Sequence, residues 1–77
     1  MNKFAQKLRD FRKLHRIQGQ ELAKASNLSQ SLVSRLECGW TPITKALAQH
    51  LLDGYRKFDV DASWITQHVK ETNHDKN

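Results

Sequence analysis

The sequence predicts a small all-α protein of five short helices, and three observations carry that reading. Apolar residues recur at helical spacing, as in Phe4, Leu8 and Phe11 and again in Ile43, Leu47, Leu51 and Tyr55. Residues that favour helix starts, namely Asn2, Ser29, Thr41 and Asp61, stand just ahead of such stretches. The chain has 77 residues, enough for one compact core and too few for a second domain.

Helix one is expected from Lys3 to His15, capped by Asn2, with Phe4, Leu8, Phe11 and Leu14 along one stripe. Lys3, Lys7, Arg9, Lys13 and Arg16 lie mostly away from that stripe, whereas Arg12 flanks Leu8 and Phe11 near the apolar side. The stretch from Gln18 to Gly39, QGQELAKASNLSQSLVSRLECG, then reads as two short helices joined by a tight turn. Helix two starts near Gln18 or Gly19, a poorer capping context than Ser or Thr would give. Its Leu22 and Ala23 are apolar, and the small Ala23 suits a close helix crossing. Asn27 tolerates the left-handed turn conformation, Ser29 can cap helix three, and Gly39 accepts the positive φ that stops it.

In helix three Val33 and Leu36 point inward, which leaves Gln30, Ser31, Ser34 and Arg35 on the opposite face at about 100° per residue. Trp40 enters a loop after Gly39, and Thr41 and Pro42 are expected as cap and first residue of helix four, which should run past Gly54. Helix five should run from Ala62 to Lys70, with Asp61 as its cap and Val60 and Ile65 at the spacing of a hydrophobic staple. ETNHDKN, residues 71–77, has no apolar residue and is expected to be a disordered polar tail.

Groups that would support catalysis are not brought together by this pattern. His15, His50, His68 and His74 are scattered, with no cysteine or second histidine at metal-ligand spacing. Cys38 is the single cysteine and has no neighbouring base, and one cysteine forms no internal disulfide. Ser29, Ser31 and Ser34 lack the elbow motif of a nucleophile, and there is no glycine-rich phosphate loop. The expectation is therefore a protein without catalytic residues, metal or cofactor, and not an enzyme. No apolar run approaches membrane-spanning length and no charged-then-apolar leader is visible, so a cytosolic protein without a membrane partner is expected.

The net charge of +5 is unevenly placed. Residues 1–45 hold nine Lys or Arg against three acids, and residues 46–77 hold four against five. A basic half around the two-helix stretch suits a surface that faces phosphates, and the near-neutral half suits one that faces protein. Read alone, the same imbalance also describes an ordinary solvated basic surface.

The segment QELAKASNLSQSLVSRLECG resembles the helix-turn-helix of the lambdoid phage Cro and CI repressor family. Leu8, Phe11 and Arg12 fit that family's first helix, and VDASWI, Val60 to Ile65, is similar to the segment that opens its fifth. Two residues depart from the pattern. Gly19 stands where many members carry a glutamine that braces the first reading residue, and Arg16 stands where a helix-ending glycine is common. Between Glu37 and Trp64 the chain holds roughly one helical turn more than shorter members. The resemblance implies a compact five-helix, lambda-repressor-like DNA-binding domain over residues 1–70, with helices two and three as the helix-turn-helix. It also places Arg12 against Glu37 as a partly buried ion pair.

The function it implies is a sequence-specific transcriptional regulator, a Cro-like repressor that occludes palindromic operator DNA as a homodimer in the cytoplasm of a bacterial host. The chain lacks the separate dimerisation and self-cleavage domain of CI repressors, which favours a Cro-type or other minimal regulator. A restriction-modification controller protein is the close alternative. An antitoxin that holds a toxin and binds its own promoter is the alternative from another class, although only seven polar residues follow Lys70 where antitoxins often append a longer segment.

Base reading is assigned to Gln30, Ser31 and Arg35, with Ser29 and Ser34 in support, since a Gln amide matches the adenine edge and Arg can fork onto guanine or hold a phosphate. Backbone contact is assigned to Gln18, Gly19, Gln20, Gly39, Trp40 and Lys45. Trp40 has a second reading as a core edge, which its size favours. Trp64, Ile65 and Val69 give helix five more apolar surface than a tiny monomer needs, so they are expected at a dimer interface, the alternative being that all three close the core. No small-molecule ligand is expected.

Overall fold

The computed structural model describes residues 2–72. Among these residues there are five helices and no strand: α1 Lys3–Leu14, α2 Gly19–Ala25, α3 Gln30–Cys38, α4 Lys45–Arg56 and α5 Ser63–Thr72. Side chains set most of the starts. Asn2 Oδ1 accepts from Ala5 N–H at 2.7 Å, Ser29 Oγ from Leu32 N–H at 3.1 Å, and Thr44 Oγ1 from Leu47 N–H at 3.2 Å. Left-handed residues mark the stops: Arg16 after α1, Asn27 after α2, Gly39 after α3 and Asp59 after α4.

Three boundaries differ from the sequence reading. Helix α4 is capped by Thr44 rather than Thr41, and Pro42 lies in the preceding loop rather than at the first helical position. Thr44 also offers a capping hydroxyl, and starting there puts the half-buried Ile43 just ahead of the cap, five residues before a buried Ala48. At α5, Asp61 accepts from Ser63 N–H at 3.0 Å and the helix begins at Ser63 rather than Ala62. That bond holds the Asp61 carboxyl below the usual carboxylate range. The same helix runs to Thr72, so the first two residues of the expected polar tail are helical. Residues 73–77 lie outside the described residues.

One core gathers a face from every helix: Leu8 of α1, Leu22 and Ala23 of α2, Val33 and Leu36 of α3, Ala48, Leu51, Leu52 and Tyr55 of α4, and Ile65 and Val69 of α5. Ile17 and Ala62, from connecting segments, complete it. Leu14 does not join, although it continues the spacing of Phe4, Leu8 and Phe11; it is 75 % exposed. Helix α1 ends there, and the chain turns back through Arg16 to bury Ile17 in its place.

Candidate nucleic-acid interface

Helix α3 is held from behind. Val33 and Leu36 are buried on its inner face, and Glu37, 7 % exposed, lies beside them. A carboxylate that deep needs a charged partner, and Arg12 of α1 supplies it. Arg12 Nε donates to Glu37 Oε2 at 2.7 Å and Nη2 donates to Oε1 at 3.0 Å, while Nη1 donates to the Ile17 carbonyl at 2.7 Å. The expected ion pair is thus present, partly buried and two-pronged, and the same guanidinium ties the α1–α2 turn to both helices. Its hydrogen bond with Glu37 raises the Arg12 pKa further, so this charge is permanent.

The connection from α2 to α3 is short and fully specified. Ser26 N–H donates to the Leu22 carbonyl at 2.8 Å, Asn27 takes φ 59°, and Leu28 N–H returns to the Ala23 carbonyl at 2.9 Å. From Ser29 the chain enters α3 with the hydroxyl already engaged in the cap. At the other end Gly39, φ 79°, lets Trp40 N–H reach the Arg35 carbonyl at 2.9 Å, a bond that closes the helix.

What this leaves outside is the face the sequence singled out. Ser29, Gln30, Ser31, Ser34 and Arg35 are exposed, while Leu32 is half-buried. Gln18, Gln20, Gly39 and Lys45 are exposed as well, and Gly19 is half-buried with the Arg12 guanidinium carbon 3.9 Å from where its Cβ would stand. The face offers amide, hydroxyl and guanidinium groups, suited to base edges and phosphate oxygens.

Three expectations about this surface need correction. Trp40 is not a core edge: it is 81 % exposed, because Gly39 ends α3 and sends the chain outward before α4 begins. The start of α2 is better capped than its residues suggested, since Glu21 Oε1 accepts from Gln18 N–H at 2.9 Å. That places a carboxylate where a phosphate would approach, which weakens the helix end as an anion site. Ile65 and Val69 are 0 % and 1 % exposed, so they belong to the core and have no surface for a dimer contact; of that trio only Trp64 keeps exposed area.

The sequence reading missed two arrangements. Ser26, 2 % exposed, packs against Gly54 of α4, and His50 Nδ1 lies 3.0 Å from the Ser26 carbonyl, so α4 locks the end of α2. The only hint was Gly54 inside an otherwise regular helical stretch. The second is an aromatic cluster of Phe4, Phe11, Trp64 and His68 between α1 and α5, formed from residues too far apart in sequence for any pattern to join. Among the described residues no cluster of three or more potential metal ligands occurs, and no helix is long and apolar enough to cross a membrane.

No protein-family model, curated protein or solved structure matches this chain.

Proposed function

We propose that the protein is a sequence-specific DNA-binding transcriptional regulator that acts as a Cro-like repressor, with α2 and α3 as its helix-turn-helix and two copies sharing a palindromic operator. One observation carries the reading: α3 is clamped from behind by the Arg12–Glu37 pair while Gln30, Ser31, Ser34 and Arg35 stand exposed along its outer face. A rigidly held helix with a polar outer face can insert its first turn into a major groove without losing much freedom on binding. Trp40 and Lys45 are exposed and follow α3 in the chain, which supports assigning them to contact with the sugar-phosphate backbone.

Two-fold pairing on a two-fold site would double a reading surface of only a few residues. Ile65 and Val69 are enclosed, so on this reading the pairing contact would lie outside the buried face of α5. Selection of duplexes from a random pool, followed by titration across salt, tests the proposal. The expected result is enrichment of a palindromic sequence whose log K falls linearly with log salt, by about 0.9 per phosphate neutralised. No enrichment and a flat salt response would reject it.

A further inference from the structure

Helices α1 and α5 meet through aromatic rings, and beside those rings lies a groove of about 590 Å³. Its apolar floor is Phe4, Trp64 and His68. The Phe4 and His68 rings stack with centroids 3.8 Å apart, and Phe4 meets Trp64 at 5.8 Å and 66°. Lys3 and Lys7 stand along its α1 side, with Ser63 and Gln67 opposite, and among the described residues none that lines it is acidic.

Two features ask for a partner. Neither lysine has an ion pair among the described residues, where the pairs are Arg12–Glu37 and Arg56–Asp53. Lys7 Nζ lies over the Trp64 ring, 4.6 Å from its centroid. An ammonium over an indole is a weak substitute for a carboxylate at an exposed site. We propose that this groove docks an acidic peptide segment of another protein, which seats an apolar side chain on Phe4, Trp64 and His68 and sets its carboxylates on Lys3 and Lys7.

Charge complementarity selects this occupant over the others. A second copy docking through the same groove would bring Lys3 and Lys7 against their own counterparts, a like-charge juxtaposition. Nucleic acid would satisfy the lysines through its phosphates and leave the apolar floor of the groove without an occupant, whereas an acidic peptide with an apolar side chain fills both.

The two tryptophans make the test direct, because Trp64 is in the groove and Trp40 is exposed after α3. The full chain, labelled with ¹⁵N, is titrated with a short synthetic peptide in which glutamates flank a leucine and a phenylalanine, with its glutamine counterpart, and with a single-stranded oligonucleotide. Saturable shifts of the Trp64 indole and of Lys3, Phe4 and Gln67 amides with the glutamate peptide alone, Trp40 staying still, are expected. The Lys3→Glu/Lys7→Glu variant should bind at least about tenfold more weakly, a loss of roughly 1.4 kcal/mol, and Lys3→Gln/Lys7→Gln should fall between. Equal binding of the glutamine peptide, unweakened binding by the charge-reversed variant, or absence of any shift would overturn the proposal. So would movement of Trp64 by the oligonucleotide, which would give the groove to nucleic acid.

Discussion

Gly54 faces Ser26 so closely that a Cβ at position 54 would overlap the serine hydroxyl and stand 3.0 Å from the Ser26 Cα. The hydroxyl can rotate, but the backbone carbon cannot, so α4 and the end of α2 must move apart to accept any larger residue. Gly54→Ala should therefore destabilise the protein. Overpacking costs about 1–3 kcal/mol, against roughly 1 kcal/mol gained from helix propensity. Ser26→Ala removes a buried hydroxyl that has no hydrogen-bond partner among the described residues, and should leave stability unchanged or raise it by about 1 kcal/mol. Urea unfolding of the two single variants and the double variant checks this, with the Gly54→Ala penalty smaller in the Ser26→Ala background.

The Arg12–Glu37 pair gives the second prediction. Side-chain exposures of 13 % and 9 % place both charges largely out of water. Removing one strands the other, so Glu37→Ala should cost on the order of 3–5 kcal/mol. A variant that melts like the wild type would show that the pair does not hold α3.

Tyr55, the single tyrosine, is 1 % exposed and packs edge-on against Phe11 at 5.1 Å. Burial pushes its phenol well above the ordinary value, and the nearby Glu37 carboxylate pushes in the same direction. The folded state thus holds a proton that the unfolded state gives up. Its stability contribution is complete below the unfolded phenol pKa of about 10 and is lost as pH rises through the folded value. Tyrosinate absorbance should consequently appear only together with alkaline unfolding, followed by circular dichroism on the same sample. Ionisation of Tyr55 in a folded protein would contradict the burial argument.

Ile65 and Val69 were the natural candidates for a dimer contact, and their burial reverses what substitution there would report. Ile65→Ala should destabilise the monomer by about 2–5 kcal/mol. Sedimentation of the folded fraction should show an unchanged oligomeric state. A variant that keeps full stability and loses self-association would return these residues to an interface.

Much of this architecture is legible in the sequence because the signals are local. Asn2, Ser29, Asn27 and Gly39 each act within a few residues of their own position, and the structure puts each at the cap or turn expected of it. Long-range features were visible only where chemistry constrains them: the resemblance placed Arg12 beside Glu37, and a buried charge has few ways to be satisfied. The fate of apolar residues was harder to read. Trp40 and Leu14 have the size and spacing of core residues, yet both fall where the backbone turns away from the core. Val69 and Ile65 looked surplus to a small core because the contribution of Ile17 and Ala62, which lie outside the helices, could not be seen from periodicity. The exposed face of α3 was legible because burial of Val33 and Leu36 fixes the helix rotation, and everything opposite must then face outward.

That rotation supports the last prediction, on Gln30. It is the first residue of α3, exposed, and directly follows the Ser29 cap, so under the proposed function it stands on the turn that would enter a major groove first. A glutamine amide pairs with the N6 and N7 positions of adenine through two hydrogen bonds, each good pair being worth about 1–3 kcal/mol of discrimination. Gly19 contributes no side chain to steady that amide, which places Gln30 toward the lower end of this range. A side chain would fit there, because the Arg12 guanidinium carbon stands at an ordinary contact distance of 3.9 Å from the Cβ position. Gln30→Ala should accordingly weaken binding to the selected duplex, relax preference at one base pair of each half-site, and leave non-specific binding unchanged. Gly19→Gln should sharpen preference at that same base pair. Competition against single-base variants of the selected duplex reads both effects. Uniform weakening of every sequence by Gln30→Ala would make Gln30 a phosphate contact and move the reading function along α3 toward Ser34 and Arg35.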